Sequence, residues 1–522
     1  MWKTITPSEM KRIETAAMER GLCTGEALMN RAAAAVAEAV RRQRKNPQGR
    51  VLALCGTGNN GGDAVAAMRI LARDGDFCGT CWLMDGPLSP DMVRELERLR
   101  RECPQVKVLR LAGQDELVDT DGERLSIPED TACVIDGLFG TGLSRPVTGA
   151  AAALCRQMRL AYENGVPVVA VDIPSGLCGR TGQVLGEGVT ATETITFHRP
   201  KPGLFLGLGP DLAGQITVAE IGLLPEWDDA DGLAVCAPSD VAGLLPRRKR
   251  TGHKGDHGRV VLLCGSTGMA GAAAIAATAA LRSGAGLVTV ACPERILDVV
   301  QMLCPCATCL PLAPDTEEAW RQLEPALQTA DALGMGCGLG QSPWAAGLVV
   351  RTLAWLSGHS LRAVIDADAL NLLSRMEASR LELSRCVLTP HPGEAARLLG
   401  MTVADVTADA VASAGLLREK YGASVVLKGA ASVLMAPQGA ALNVLGTPAM
   451  GKGGSGDALT GVLCALLAER ARSWQPVDVL AVLQAGCGLH GLAGCAAEER
   501  YGLRGVLATD LCMELGRVAA ER

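Results

Sequence analysis

Gly451-Lys-Gly-Gly-Ser-Gly-Asp457-Ala-Leu-Thr-Gly461 is a glycine-rich loop that leads directly into an apolar segment. The apolar segment predicts a helix over about 456–470. Consecutive amides at a helix start bind anions, so Gly453, Gly454, Ser455 and Gly456 are candidates for holding a transferring phosphoryl group. Asp457 follows these amides and is placed to take the proton of an attacking hydroxyl. A capping Asp at a glycine-rich helix start is the structural alternative.

Other predicted strand ends in this half support phosphoryl transfer. Asp366 ends a strand near 363–366 and is a candidate ligand for Mg²⁺, which proteins hold with one or two carboxylates. Lys428 ends a strand near 424–428, where it would meet a nucleotide, and His391 lies between two prolines in another strand-end loop. The chain has no GxxxxGK[ST] motif, so the scaffold differs from a P-loop.

Strands alternate with amphipathic helices along nearly the whole chain, which predicts an α/β fold with a mostly parallel sheet. An alanine-rich helix over about 25–44 precedes the alternation, and helices over about 456–470 and 476–497 close it. The alternation breaks down between Gly222 and His257. We therefore expect an N-terminal domain over 1–225, a boundary over 226–257 and a C-terminal domain over 258–522, with a start as early as 236 left open. The predicted strands are 51–55, 80–84, 106–109, 132–136, 167–171, 216–221, 260–264, 287–291, 363–366, 386–389 and 424–428.

Composition agrees with two globular domains. The 522 residues exceed one ordinary core, and 48% are apolar against 20% charged. Aromatic residues make up only 3% while 62 residues are glycine, so the core must be built from Ala, Leu and Val. The net charge of -6 argues against nucleic-acid binding, and the basic run Arg247–Arg250 is too short to change that. Ala-rich exposed helices lead us to expect a homo-oligomer.

The 20 cysteines do not predict disulfides. The N-terminus does not have the form of a signal peptide, and no run of about 18 apolar residues predicts a membrane span. We therefore expect a cytoplasmic protein whose thiols pack as small apolar groups. Two C-x-x-C pairs, Cys78/Cys81 and Cys306/Cys309 with Cys304 nearby, each lack the further ligands that zinc requires.

Three loops of the N-terminal half are expected to meet at one sheet edge. Gly56, Gly58 and Gly61 form a G-x-G-x-x-G turn after the first strand, but the acid expected at the end of a second dinucleotide-binding strand is missing. Asp136 and Asp172 end two later strands. Ligands bind at the carboxyl ends of parallel strands, so these loops indicate a site; a helix cap is the alternative for each Asp alone.

The N-terminal half resembles the epimerase domain of NAD(P)H-hydrate repair enzymes, on GNNGGD (58–63), DGLFGTGLSRP (136–146), VDIPSGL (171–177) and FHRPKPGL (197–204). The resemblance implies a Rossmann-like three-layer domain that interconverts the R and S hydrates. It implies K⁺ held by Asn60, Asp136 and Ser175. Asp172 is our candidate acid–base group, with Lys201 second. The implied substrate contacts are Asn59, Asn60, Gly61, Gly62, Asp63, Gly140, Thr141, Gly142, Leu143, Ser144, Arg145, Pro146 and Asp172.

The C-terminal half resembles the ribokinase-like superfamily, and within it the ADP/ATP-dependent NAD(P)H-hydrate dehydratases. Matching segments include GCGLG (336–340), DADALN (366–371), TPHPGE (389–394) and GKGGSGDALTG (451–461). The resemblance implies hydrate contacts from Ala272, Gly338, His391 and Asp457. It implies nucleotide contacts from Lys428, Gly429, Ala430, Ala431, Ser432 and Gly456. Relatives usually carry Pro at Cys337, which we expect to affect loop rigidity only, and Thr at Ser432.

We therefore expect a bifunctional enzyme that epimerises hydrated NADH and NADPH and dehydrates the S hydrate with ADP or ATP as phosphate donor. K⁺ and Mg²⁺ are the expected ions, and small molecules the expected partners. The first alternative is a sugar or hydroxymethylpyrimidine kinase fused to a nucleotide-binding regulatory domain. A non-catalytic nucleotide sensor is the second alternative, against which the intact Asp172 and Asp457 argue.

Overall fold

The computed structural model describes residues 2–75, 79–111, 117–118, 125–224, 227–228, 230–473 and 476–520. The chain divides into two compact units, residues 3–233 and residues 234–522 together with 1–2. The division falls inside the segment 226–257 in which we expect a boundary. Cys78 of the first C-x-x-C pair lies outside the described residues.

The N-terminal unit is built on a seven-stranded parallel sheet in the order β4-β3-β2-β5-β6-β7-β8. Alternate residues of β2 enter cores on opposite faces, with Val51 and Ala53 on one face and Leu52 and Leu54 on the other. Helices cover both faces, which gives three layers. The elements are α1 (Pro7–Glu19), α2 (Gly25–Gln43), β2 (Arg50–Cys55), α3 (Asn59–Arg73), β3 (Gly79–Leu83), α4 (Pro90–Glu102), β4 (Lys107–Arg110), β5 (Thr131–Gly137), α5 (Gly149–Glu163), β6 (Val168–Val171), β7 (Glu193–Phe197), α6 (Gly209–Leu212) and β8 (Gln215–Ala219).

The C-terminal unit has an eleven-stranded sheet in the order β1-β9-β18-β17-β16-β15-β14-β13-β10-β11-β12, where β1 is Trp2–Lys3. The pairs from β16 to β12 are parallel, and β17 is antiparallel to both neighbours. The remaining strands are β9 (Ala234–Val235), β10 (Arg259–Leu263), β11 (Leu287–Pro293), β12 (Thr308–Leu312), β13 (Ala332–Met335), β14 (Arg362–Ile365), β15 (Cys386–Leu388), β16 (Ser424–Leu427), β17 (Ser432–Ala436) and β18 (Gly439–Asn443).

The helices of this unit lie between and after these strands. They are α7 (Pro238–Leu244), α8 (Ala270–Arg282), α9 (Leu297–Leu303), α10 (Thr316–Thr329), α11 (Pro343–Ser357), α12 (Ala367–Leu373), α13 (Pro392–Leu399), α14 (Val403–Ala408), α15 (Ala410–Tyr421), α16 (Ser455–Ala471), α17 (Val479–Tyr501) and α18 (Ala508–Ala520). By length and composition α17 could cross a membrane, but 72% of its apolar window is buried inside the protein.

Small residues form the contact between α8 and α16, which explains how a core with few aromatics packs. Six alanines of α8 are buried, among them Ala276 and Ala280. A Cβ on Gly461 of α16 would lie 2.1 Å from the carbonyl oxygen of Ala276 and 2.9 Å from the amide nitrogen of Ala280. Glycine is therefore required where the two backbones approach.

The predicted α/β class is confirmed, and the predicted strands lie within a few residues of observed ones. The expectation that the pattern is broken throughout 222–257 is wrong in part, because β9 and α7 lie inside that segment. The strands over 193–197, 308–312, 332–335, 432–436 and 439–443 were not predicted. Within the cysteine cluster, Cys304 is buried, Cys309 lies in β12 and Cys306 is exposed.

Candidate active sites

The N-terminal candidate residues lie at the carboxyl ends of β2, β5, β6 and β7. The strand order turns at β2 and β5, and such a switch point is where open α/β sheets bind ligands. The loops meet closely here. A Cβ on Gly56 would lie 1.9 Å from the carbonyl oxygen of Leu138, and one on Gly61 would lie 2.0 Å from that of Gly56. These glycines are needed for the close approach of two strand-end loops.

Asp136, Ser175 and Asn60 form an oxygen-rich group at this edge. Asp136 is fully buried, and its two oxygens accept hydrogen bonds from Ser175 Oγ at 2.6 Å and Ser175 N at 2.8 Å. Burial raises the pKa of Asp136 to about 6, although the Ser175 hydrogen bonds oppose the rise. Asn60 Oδ1 lies 3.0 Å from the position of a Cβ on Gly140, and Asn60 Nδ2 is buried without a partner among the described residues.

Asp172 and Lys201 form a buried ion pair beside this group. Asp172 follows β6 with a φ of +64°, an uncommon conformation outside glycine that re-aims its side chain. Its Oδ1 accepts hydrogen bonds from Lys201 Nζ, from Thr196 Oγ1 at 3.1 Å and from Phe197 N at 3.0 Å. The Lys201 side chain is completely buried, and its ammonium also donates to the Phe197 carbonyl at 3.2 Å. The structure thus pairs two residues that lie 29 positions apart.

Other predicted contacts are placed differently. Asn59 and Asn60 begin α3, and Gly61 and Gly62 are buried in its first turn. Asp63 follows directly in the next turn; burial first, and then the charges of Asp172 and Glu14, raise its pKa well above the usual range. Glu14 was not predicted, because nothing in the motifs marks it. The residues after Gly140 form a turn in which Gly142, Ser144, Arg145 and Pro146 are exposed and Thr141 and Leu143 are half-buried.

The C-terminal candidate residues lie at the carboxyl ends of β10, β13, β14, β15 and β16 and at the start of α16. The Cys337 Sγ atom and carboxylate oxygens of Asp366 and Asp457 lie within 4.8 Å of one another. Burial, and after it the charge of the neighbouring Asp366, raises the pKa of Asp457 to about 6. Cys337 is fully buried and contacts this carboxylate pair, so the expectation that it affects only loop rigidity is too narrow.

Asp366 is held by two donors from different elements. Lys428 Nζ donates to Oδ1 at 2.8 Å, and Thr460 Oγ1 donates to Oδ2 at 3.0 Å. Thr460 lies one turn after Asp457 on α16 and was not predicted. Lys428 also lies 3.9 Å from Glu394, and the Asp366 and Glu394 carboxylates raise its pKa against the effect of burial. The Lys428 ammonium, which we expect to contact the nucleotide, is therefore held in position by the carboxylates of Asp366 and Glu394.

His391 is exposed and caps α13. Its Nδ1 accepts a hydrogen bond from Gly393 N at 3.0 Å, and its own backbone amide donates to Glu394 at 2.9 Å. Glu394 thus connects the histidine to Lys428. Ala272 and Gly338 are also adjacent, because a Cβ on Gly338 would lie 2.8 Å from the Ala272 Cβ. Gly429, Ala430 and Ala431 form the turn between β16 and β17, and Ser432 begins β17.

The glycine-rich loop is shaped by its own backbone and by α17. Gly454 has a φ of +97°, and a Cβ on Gly456 would lie 3.4 Å from Lys428 Nζ. The loop therefore brings its backbone close to the Lys428 ammonium. Half-buried His490 on α17 donates from Nε2 to the Ser455 carbonyl at 2.8 Å, and desolvation lowers its pKa to about 4. The Ser455 hydroxyl donates a hydrogen bond to the Met450 carbonyl oxygen at 2.8 Å.

Family profiles match both halves of the chain. The profile described as YjeF-related protein N-terminus matches residues 25–203, and the one described as NAD(P)H-hydrate dehydratase matches residues 260–517. Among solved structures, the ADP/ATP-dependent NAD(P)H-hydrate dehydratase from Bacillus subtilis, co-crystallised with ATP/Mg²⁺, is 29% identical with a TM-score of 0.48. The match covers 55% of this chain and 98% of the Bacillus subtilis chain.

Curated relatives match nearly the full length. The bifunctional NAD(P)H-hydrate repair enzyme Nnr of Moorella thermoacetica is 35% identical over 521 residues, which is 97% of this chain and 94% of that protein. The protein of the same name from Escherichia coli is 36% identical over 471 residues, 90% of this chain and 84% of its own length. These matches favour the predicted repair family over a small-molecule kinase. The chain belongs to the family of bifunctional NAD(P)H-hydrate repair enzymes.

Proposed function

We propose that this chain repairs hydrated NADH and NADPH, with R/S epimerisation in the N-terminal unit and nucleotide-dependent dehydration of the S hydrate in the C-terminal unit. Family membership supports both activities. The single observation that carries the proposal is the placement of Asp457, a carboxyl with a pKa of about 6 directly after a glycine-rich loop at a helix start. A carboxyl in that position can deprotonate a hydroxyl while the amides hold the phosphate it attacks.

Dehydration proceeds in two bond-changing steps. Asp457 takes the proton of the C6 hydroxyl, whose oxygen attacks the terminal phosphorus of ADP or ATP held by the amides of Gly453, Gly454, Ser455 and Gly456. The shortened nucleotide leaves. The C6–O bond then breaks with its electron pair going to phosphate, a proton is lost from C5, and NAD(P)H forms. A kinase with the same residues would stop at the phosphate ester.

Mg²⁺ is proposed at the C-terminal site, supported by the donor chemistry of the carboxylates. Asp366, whose carboxylate lies beside that of Asp457, would hold it together with phosphate oxygens, the usual ligand set for this ion. When bound, it neutralises charge on the phosphates. Lys428 supplies the resident positive charge and holds Asp366 in position at 2.8 Å.

K⁺ is proposed beside Asp136. The hydrogen-bond donors to this fully buried carboxylate among the described residues are uncharged: Ser175 Oγ, Ser175 N and Leu138 N. A buried carboxylate without a compensating charge is costly, so a monovalent cation fits this position. Asn60 and Ser175 would complete its oxygen ligands. The substrate would then bind along Asn59–Asp63, Gly140–Pro146 and Asp172.

We further propose small-molecule partners only, a homo-oligomeric state and a cytoplasmic location. The acidic balance, the alanine-rich helices and the many thiols support these statements.

The proposal is tested by incubating the full chain with mixed R and S NADH hydrate, K⁺, Mg²⁺ and either ADP or ATP, while NADH absorbance is followed. We expect NADH to be recovered from both epimers. Accumulation of a stable phosphorylated hydrate without NADH recovery would refute the repair function and favour the kinase alternative.

A further inference from the structure

Helix α1 is fixed beside the Asp172–Lys201 pair. The backbone amide of Ile5 donates to the carbonyl of Pro200 at 2.9 Å, one residue before Lys201. Pro7, the first residue of α1, and Lys201 both lie close to Gly179. A Cβ on Gly179 would lie 3.0 Å from Pro7 Cγ and 3.7 Å from Lys201 Cγ. The start of α1 therefore lies against the loop that holds Lys201.

Glu14 is part of the inward-facing stripe of this helix. Met10, Ile13 and Ala17 of α1 are buried, and Glu14 falls among them at the three- and four-residue spacing of one helix face. It also follows Pro7 by two turns, on the same face. Glu14 makes no hydrogen bond or ion pair with any residue that the structure describes. A carboxyl in such a position is costly unless it is neutral or meets a ligand.

The electrostatic surroundings of Glu14 differ from those of Asp172. Burial raises the pKa of Glu14 to about 7; the Asp172 charge adds to the rise and the Lys201 charge opposes it. Asp172, by contrast, has three donors on one oxygen, including an ammonium. Two carboxyls in contrasting environments divide the roles of acid and base in many enzymes. The titratable groups that interact with Glu14 are Cys23, Asp63, Asp172 and Lys201.

We propose that Glu14 is a catalytic acid of the N-terminal site and protonates the C6 hydroxyl of the hydrate. The inference rests on the proposed epimerase function of this unit. The C6–O bond breaks with its electron pair going to the oxygen, which takes the Glu14 proton and leaves as water. The ring nitrogen N1 supplies its lone pair to form C6=N1. Water then adds to the opposite face of C6 and gives its proton to Asp172, and proton exchange with solvent restores the Glu14 acid.

The test measures R/S exchange by proton NMR across a range of pH in the full chain, with Glu14→Gln, Glu14→Asp and Glu19→Gln variants. In the unsubstituted chain, enzymatic exchange should fall as pH rises through about 7, where Glu14 loses its proton. Glu14→Gln should lose about 10²–10⁴-fold in kcat for exchange and lose this pH limb. Glu14→Asp should keep a falling limb at a shifted pH. Glu19 is exposed at the end of the same helix, so Glu19→Gln should behave like the unsubstituted chain.

Each outcome has a distinct meaning. Exchange in Glu14→Gln within about threefold of the unsubstituted chain, with the same pH limb, would overturn the assignment of Glu14. Reduced exchange with an unchanged limb would also overturn it, because a merely structural role lowers the rate without removing a titration. No exchange in the unsubstituted chain while dehydration proceeds would instead refute the epimerase function itself.

Discussion

At the scale of single residues, both candidate sites depend on carboxyls whose protonation is set by burial. The pKa of Asp457 is raised to about 6 because the side chain is half-buried and because the charge of Asp366 is nearby. A group with this pKa is largely ionised at neutral pH and still able to accept a proton, which suits a general base. The pH dependence of dehydration follows: kcat/KM should decline as pH falls below about 6, because the base becomes protonated.

The same shift predicts an effect on stability. Because the folded-state pKa of Asp457 is raised above its usual 3.8, the stability this group contributes is fully present below that value and is lost as pH rises through about 6. Asp457→Asn removes the buried charge, so it should raise the free energy of unfolding by about 1–2 kcal/mol at neutral pH. It should also abolish NADH recovery. Thermal unfolding at neutral and acidic pH measures the effect.

Two observations control this experiment. The gain in stability should shrink at a pH near 4, where folded Asp457 is already protonated. Asp298→Asn, at an exposed position of α9, should change neither stability nor activity. A loss of stability in Asp457→Asn at neutral pH would contradict the view that a desolvated charge is held there for catalysis.

The motifs predicted single residues far better than they predicted contacts. Asp172 and Lys201 were both expected at the site, but sequence spacing does not pair residues 29 positions apart; the positive φ of Asp172 and the burial of Lys201 do. Glu14 could not be predicted, because an acid in an amphipathic helix is ordinarily a solvated residue. Its importance depends on which helix face packs inward.

At the scale of elements, the closeness of α8 and α16 places the glycine-rich loop. Gly461 has no room for a side chain against the α8 backbone. Gly461→Ala should therefore destabilise the protein by about 1–3 kcal/mol through overpacking, although Ala favours helices over Gly. Gly415→Ala on α15 is the matched control, because the nearest atom to its Cβ is Met435 Sδ at 4.0 Å. The control should gain about 0.5–1 kcal/mol.

Chemical denaturation of both variants measures these changes. Equal effects at the two positions would contradict the packing argument.

The elements themselves were predictable where apolar runs are long, as in β2 and β10. Strands such as β17 and β18 were missed because each has only five residues, Ser-Val-Leu-Met-Ala in β17 and Gly-Ala-Ala-Leu-Asn in β18, which is too few for a periodic pattern. Their strand character comes from pairing with neighbours rather than from local sequence.

At the scale of the whole molecule, each unit has its own hydrophobic cores and its own candidate site. The cores of the N-terminal unit surround β2, and the large core of the C-terminal unit surrounds β10 and α16. The pattern change after residue 222 predicted a division there. The prediction left open a C-terminal domain that starts as early as 236 and so includes α7. It did not predict that β9 belongs to this unit, since a two-residue strand carries almost no periodic signal.

The central claim is that two separate sites act in sequence on one damaged cofactor. It is tested most directly by following NADH recovery from mixed R and S hydrate with the Asp172→Asn protein alone, with the Asp457→Asn protein alone, and with the two variant proteins mixed in one solution. We predict that Asp172→Asn consumes the S hydrate and then stalls at the rate of spontaneous epimerisation, that Asp457→Asn recovers no NADH while still exchanging epimers, and that the combination converts both epimers. Equal loss of both reactions in each variant, with no recovery on mixing, would contradict the account.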